Sequence, residues 1–286
     1  MVNDQWYFSK DDFLCTPSVM EGMTVQQEQM DRTKGCLYLL AIASKLNFTR
    51  PQLAVATACT FFHRFFMRQS MQRFHVYDIA ATSLFVATKV EECTRRIKDF
   101  VNVCAQKAQK NDRLQLTEDS KDFNKWKDTM LCNETILLQT LCFDIAIEHP
   151  QACLLDMEKE LGLSQACTRR AWIFLYQSLG APLCLLYKPK TIAAAALVLA
   201  WQFSENDQQA PPENWWEVIG VDPGQVYELA VEMLEFDEEH YPRKPSTPHH
   251  SSSFHQHSSS QHHQSSSSQS HHSSSQPQQH YQQQHH

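Results

Sequence analysis

Glycine is scarce, with only 6 in 286 residues. Strict apolar/polar alternation is hard to find as well, while long segments of 3.6-residue periodicity recur, so the expected class is all-α. Ten cysteines are present but no CxxC pair. Cys59, Cys104 and Cys142 sit among apolar neighbours in helical patterns and read as reduced core residues, with a disulfide or zinc framework the lesser alternative. No glycine-rich phosphate loop, metal-spaced histidine set or paired carboxylate cluster occurs, so no catalytic residue, cofactor or metal is expected. The longest apolar run, Ile192–Trp201, is too short to span a bilayer, and the opening MVNDQWYFSK lacks a signal-peptide core. The expectation is a soluble intracellular protein without a membrane partner. The formal charge of −7 argues against DNA or RNA as the main partner, because phosphate binding needs a basic face. Residues 249–286 contain no Lys, Arg, Asp or Glu at all and are mostly Ser, Gln and His. From Pro245 onward that composition reads as a disordered tail, unable to bury enough apolar surface to offset the entropy of ordering. Flexible spacing with incidental affinity for divalent metals is the plain reading of it.

What remains, about residues 1–244, is a succession of helical patterns. WYFSKDDFL (6–14) reads as a short amphipathic helix with Ser9 and Asp12 as its cap, followed by a turn, TPSVMEG (16–22). Thr24 and Gln27 open a helix running to about Leu46, with Met30, Leu37, Leu40 and Ala41 on one face. Thr49 caps the next, about 50–67, which is rich in phenylalanine: Phe61, Phe62, Phe65 and Phe66. The third, YDIAATSLFVATKVEE (77–92), is apolar or small on nearly every side, the pattern of a helix enclosed by others. A fourth is expected near 95–110 and a fifth near 120–142, with a polar loop at 111–119 between them. After a linker at 144–150, helices are expected near 150–161, 164–179, 189–204, 212–219 and 224–240. Ser164 and Asp222 act as caps, and Pro223 begins the last helix. TIAAAALVLAWQF (191–203) repeats the enclosed character of 77–92 at the same place in its set, third of five, which suggests a duplicated five-helix unit.

A lysine closing the enclosed third helix needs an explanation. Lys89 reaches solvent, pairs with an acid of its own chain, or holds something belonging to a partner. Periodicity alone favours an internal pair. Glu91 and Glu92 read as a solvated helix end, with proximity to a partner as the alternative. Cys59 and His63 lie four apart on one face, but two ligands make a weak metal signal, and His63 reads as a core or interface imidazole. Trp215 and Trp216 read as packing against the last helix.

HRFFMRQS (63–70), LFVATKVEE (84–92) and NETILLQTLCFDI (133–145), in that order and spacing, resemble the N-terminal box of the cyclins. WYFSKDDF, TPSVMEG, IEHPQACLL (147–155) and NWWE (214–217) resemble the transcriptional branch, the cyclin K and cyclin T types. The resemblance covers nearly all of 5–240. It implies an N-terminal extension (1–23), an N-terminal cyclin box (24–146), a C-terminal cyclin box (147–244) and a tail (245–286). It also implies a nuclear, non-catalytic subunit that binds and activates a cyclin-dependent kinase acting on the C-terminal repeat domain of RNA polymerase II, with that domain as a second candidate partner. A cyclin C or cyclin L type, serving a Mediator or splicing-linked kinase, is the alternative, and a DNA-binding relative of transcription factor IIB the more distant one. Carried over residue by residue, the kinase contacts fall on Lys89 and Glu134, with Glu92 and Phe8 beside them. The chain departs from the pattern at Thr94, where transcriptional cyclins have proline, and KGCLYLL (34–40) lacks the substrate-docking motif of the cell-cycle cyclins.

Overall fold

The computed structural model describes residues 4–48, 51–203 and 212–241. Twelve α-helices and no strands occur among them. The expected cap at Thr49 and the tail lie outside the described residues.

The first helix set consists of α2 (Val25–Leu46), α3 (Pro51–Arg68), α4 (Val76–Val90), α5 (Ile97–Ala108) and α6 (Lys121–Thr140). Local chemistry sets its boundaries. The Thr24 hydroxyl accepts the Gln27 amide at 3.1 Å and starts α2, and the Ser120 hydroxyl accepts the Phe123 amide at 3.2 Å and starts α6. All of Ile79–Thr88 in α4 is buried. No single face of α4 is reserved for solvent, because it packs against α2, α3, α5 and α6. At its end Glu92 adopts a left-handed conformation at φ 53°. The Cys93 amide then donates to the Thr88 carbonyl at 2.9 Å and the Glu92 amide to the Lys89 carbonyl at 3.3 Å, closing the helix in a Schellman motif. The helix end is therefore sharply set without the proline that Thr94 replaces.

The second set consists of α7 (Pro150–Leu161), α8 (Gln165–Gln177), the short α9 (Leu183–Leu186), α10 (Pro189–Gln202), the five-residue α11 (Trp215–Ile219) and α12 (Pro223–His240). Ser164 and Asp222 cap α8 and α12, each side chain accepting an amide at 3.1 Å. The central helix is α10, with Thr191–Leu197 buried and packing against α7, α8 and α12. Trp215 is buried in this core with its ring against Trp201 of α10, centroids 5.1 Å apart, so the tryptophan pair is packing, though its ring partner lies on α10. Each set has its own apolar cluster, and the described helices of both fall in one compact unit.

Several local expectations differ from the structure. The short N-terminal helix is realised as two 3-10 turns, Asp4–Trp6 and Asp11–Leu14, with Ser9 and Asp12 bonded reciprocally as a cap. The segment 16–22 contains a one-turn helix, α1 (Pro17–Met20), capped by Thr16. Two residues of the proposed apolar face of α2 point outward, Met30 at 47% and Leu37 at 38% exposed, while Leu40 is partly buried against the first core. The buried face instead carries Glu28, Arg32, Gly35, Cys36, Leu39 and Ile42. Cys142 is not core. It sits exposed in a left-handed turn after α6, where the Arg68 Nη1 group approaches its sulfur at 2.9 Å. The Cys59 and Cys104 thiols are buried and free.

Gly35 shows how tightly α2 meets α3. A Cβ built there would lie 2.2 Å from the buried Phe62 ring. Alanine is favoured over glycine in a helix by about 1 kcal/mol, but overpacking a closed core costs about 1–3 kcal/mol. Gly35→Ala is expected to lower the urea midpoint despite the better helix former. A rise would mean that the α2–α3 approach is looser than the structure has it.

Candidate functional site

Lys89 occupies the last turn of α4 and Glu134 the fourth turn of α6, two helices that pack together. The Lys89 ammonium donates to Glu134 Oε1 at 2.5 Å and lies 4.2 Å from the centroid of the Phe85 ring, one turn earlier. Ring quadrupole and carboxylate both attract the cation, so it is fixed from two sides. The site is open: the Lys89 side chain is 42% exposed and that of Glu134 17%. An ammonium carries three donors and a carboxylate several acceptor positions, so their mutual bond leaves capacity on each. Leu131 lies three residues before Glu134 on α6, hence on the same helical face, and is exposed. The arrangement is thus an oriented, half-exposed charge pair with an apolar neighbour, equipped to bind.

Glu92 stands exposed in the left-handed position just after Glu91, the C-cap of α4, three residues past Lys89. Phe8 is held differently. Its amide donates to the Leu185 carbonyl at 2.8 Å, and its half-buried ring packs on the first core. The flanking residues secure that segment. Trp6 is buried, its indole donating to Asp144 Oδ2 at 2.9 Å, with the Arg68 guanidinium 3.9 Å from its ring. Lys10 pairs with Glu228, at 3.3 Å, and with Glu232 of α12. The N-terminal segment therefore ties the two helix sets together.

Sequence reasoning missed two features. Glu91 is not simply a solvated end. It accepts the Thr57 hydroxyl at 2.6 Å, and Thr57 in turn lies 3.0 Å from His149 Nε2 at the start of α7. A buried ion pair joins Arg32 to Glu28 at 2.7 Å, supported by the Thr16 hydroxyl on Glu28 and by the His63 carbonyl, which accepts from Arg32 at 3.0 Å. The spacing of four between Glu28 and Arg32 was the available signal. His63 is the core imidazole that the sequence suggested, wholly enclosed, with Nε2 3.1 Å from the Leu179 carbonyl and 3.4 Å from Cys36 Sγ. Cys59 and His63 form no cluster of three candidate metal ligands among the described residues.

Burial, and then the Arg32 guanidinium, push the His63 pKa down to about 3 from 6.5. Burial also lowers that of His149, against the pull of Glu91. The unfolded chain then binds more protons than the native one below about pH 6.5. Stability is full above that pH and falls as the solution is acidified, by up to about 1.4 kcal/mol per pH unit for each histidine that stays neutral. Urea unfolding at pH 7.5 and pH 5 is expected to show this loss, and His63→Phe to flatten it. An unchanged slope in that variant would place the acid sensitivity elsewhere.

Comparison with known proteins bears on this geometry. Residues 6–146 match the family described as "Cyclin, N-terminal domain". The chain is 41% identical over 202 residues to cyclin pch1 of Schizosaccharomyces pombe, covering 70% of this chain and 58% of that protein. It is 33% identical over 239 residues to cyclin-T1-3 of Oryza sativa subsp. japonica, covering 82% of this chain and 48% of that one. The chain thus spans about half the length of these curated relatives. Among solved structures, a chain of the yeast RNA Pol II CTD kinase CTDK-1 complex shares the fold, with a TM-score of 0.65 at 17% identity over 82% of this chain and 74% of that one.

Proposed function

Because the chain belongs to the cyclin family, with relatives among the transcriptional cyclins, we propose that it is the regulatory subunit of a cyclin-dependent kinase acting on the C-terminal domain of RNA polymerase II. The observation that carries this reading is the open Lys89–Glu134 pair. An internal salt bridge formed only for stability would gain nothing from standing half-exposed. A pair oriented by Phe85 and left with spare donors and acceptors suits the capture of backbone and side-chain groups on a partner helix. We assign Lys89 and Glu134 as the clamp, Glu92 as a neighbouring contact, and Phe8 as a further contact where the N-terminal segment meets the partner. The binding face belongs to the box at residues 24–146, with 147–244 as the second box and 1–23 as the extension that ties them.

The mechanism is a shift of population. The kinase alone samples conformations in which its Lys–Glu ion pair and activation loop are out of place. A partner that binds only the ordered conformation raises its share by as much as its differential affinity. This chain supplies that binding energy and performs no chemistry. The place of action is the nucleus, where the polymerase works. Affinity capture of the full chain from nuclear extract, with mass spectrometry and an assay on polymerase repeat peptides, is expected to recover a cyclin-dependent kinase with that activity. Recovery of promoter DNA or of no kinase would overturn the reading.

A further inference from the structure

The C-terminal end of α5 and the turn after it form an open groove of about 480 Å³. Gln106, Lys107, Lys110, Asn111, Asp112 and Arg113 line it. Lys110 and Arg113 are exposed, and Lys107 is half-buried. The acid on this wall is already engaged: Asp112 pairs with Lys45 of α2, which holds its carboxyl below the usual carboxylate range. Lys107, Lys110 and Arg113 form no ion pair among the described residues. The next acid along the chain, Glu118, is taken by Lys98 at 2.7 Å. A chain of formal charge −7 thus carries a small place where cations gather unbalanced. Like charges so gathered repel one another, and an anion relieves that repulsion.

The groove is held in shape before anything binds. α5 closes in a Schellman motif, the Asn111 amide donating to the Gln106 carbonyl at 3.0 Å and the Lys110 amide to the Lys107 carbonyl at 3.3 Å. Lys110 takes the left-handed position of that motif, φ 51°, which glycine would hold without strain. The turn beyond is pinned back onto α5. Gln106 Nε2 donates to the Leu114 carbonyl at 2.8 Å, and Asn102 Oδ1 accepts the Leu116 amide at 2.8 Å. Attraction to the negative end of the α5 dipole accounts for Lys107, in the last turn, but not for Arg113 on the loop. Asn111 Oδ1 accepts the Arg113 amide at 3.1 Å, which leaves its Nδ2 group to donate to a ligand.

Coulomb attraction is not directional, and lysine and arginine stems are long and mobile, so three cations on one groove suffice to draw an anion. A phosphorylated side chain suits them better than a carboxylate, because it carries nearly two negative charges and three acceptor oxygens. Nucleic acid needs a basic stripe along successive phosphates, whereas this groove is built from residues 106–113 alone and has Asp112 in its wall.

We propose that this groove docks a phosphorylated serine or threonine side chain of a peptide, the phosphate lying among Lys107, Lys110 and Arg113. The peptide it fits is a phosphorylated repeat of the polymerase domain, the product of the kinase. That choice of peptide rests on the proposed function, whereas the groove shares no residue with the Lys89–Glu134 clamp. A repeat docked there keeps its neighbours close to the kinase.

Fluorescence anisotropy with the full chain, and no kinase present, tests the docking. The probes are a serine-phosphorylated polymerase repeat peptide and its unphosphorylated form, with inorganic phosphate and a single-stranded oligouridine as competitors. The phosphorylated peptide is expected to bind with Kd of about 100 µM. The unphosphorylated form is expected to bind about 10-fold more weakly, and the difference to shrink as ionic strength rises. Combining Lys107→Gln, Lys110→Gln and Arg113→Gln is expected to weaken the phosphorylated peptide by about 10-fold without lowering Tm. Should that chain fail to fold, Arg113→Glu, a single change at an exposed position, is expected to show the same loss. Lys121→Gln with Lys125→Gln, also exposed, is expected to leave binding unchanged. Equal binding of the two peptides, no loss in the groove variants, or an equal loss in the Lys121, Lys125 control would overturn the proposal. So would displacement by inorganic phosphate at the peptide's own concentration, or tighter binding of the oligouridine. Phosphopeptide binding without kinase capture would remove the proposed function and leave the groove, and capture without phosphopeptide binding would remove the groove alone.

Discussion

Replacing both Lys89 and Glu134 by alanine is expected to abolish co-purification of the kinase while leaving helix content and the unfolding transition nearly unchanged. The two halves of that expectation follow from one number. In the isolated chain the Lys89 side chain is 42% exposed, and a pair so open to water contributes about 0–1 kcal/mol to folding. Covered by a partner, the same groups lose their water. Removing one member of a desolvated, hydrogen-bonded pair then costs about 2–5 kcal/mol, or roughly two to three decades in affinity. A pair that served folding alone would behave the other way, with a visible loss of stability and no loss of binding. Circular dichroism and urea unfolding, run beside the capture experiment, separate the two. Undiminished kinase binding by a folded double variant would remove Lys89 and Glu134 from the interface.

The largest effect on stability is expected at Arg32. Its side chain is fully buried, and its partner Glu28 is 3% exposed. Burial pushes the guanidinium pKa down, and the Glu28 carboxylate pulls it back. Arg32→Ala leaves that carboxylate inside the protein with only the Thr16 hydroxyl to solvate it, and breaks the bond to the His63 carbonyl that joins α2 to α3. Breaking a buried pair costs about 3–5 kcal/mol, a large part of the 5–15 kcal/mol that holds a typical domain together. Replacing both charges by apolar residues, Glu28→Leu with Arg32→Met, is expected to recover most of the loss, because desolvation of two ions no longer has to be offset. Urea midpoints of the single and double variants measure this. A double variant as unstable as Arg32→Ala would show that the pair is needed for more than its own neutralisation.

These two pairs also mark what the sequence could and could not reveal. α4 was legible because a helix surrounded by others must be apolar all round, and Ile79–Thr88 is. The caps at Thr24, Ser164 and Asp222 were legible because a cap is a local event between residues three apart. The inward face of α2 was not. Glu28 and Arg32 lie on it, so its polarity reads as solvent-facing, while exposed Met30 and Leu37 supply a false apolar stripe. A buried ion pair inverts the rule on which periodicity depends. The pairing of Lys89 with Glu134 spans forty-five residues. No local pattern encodes such a contact, and only the resemblance to cyclins pointed to it. The relay from His149 through Thr57 to Glu91 depends on how the two helix sets pack. Neither set's sequence displays it separately.

Activation of the kinase is measured most directly by a titration. The kinase recovered from extract would be purified free of its partner and assayed on polymerase repeat peptides with increasing amounts of the full chain. Phosphate transfer is expected to rise from a low basal rate and to saturate at one chain per kinase, with the Lys89→Ala, Glu134→Ala chain requiring about 100-fold higher concentration for the same effect. A kinase whose rate ignores the chain, or responds alike to the unaltered and doubly substituted forms, would contradict the account.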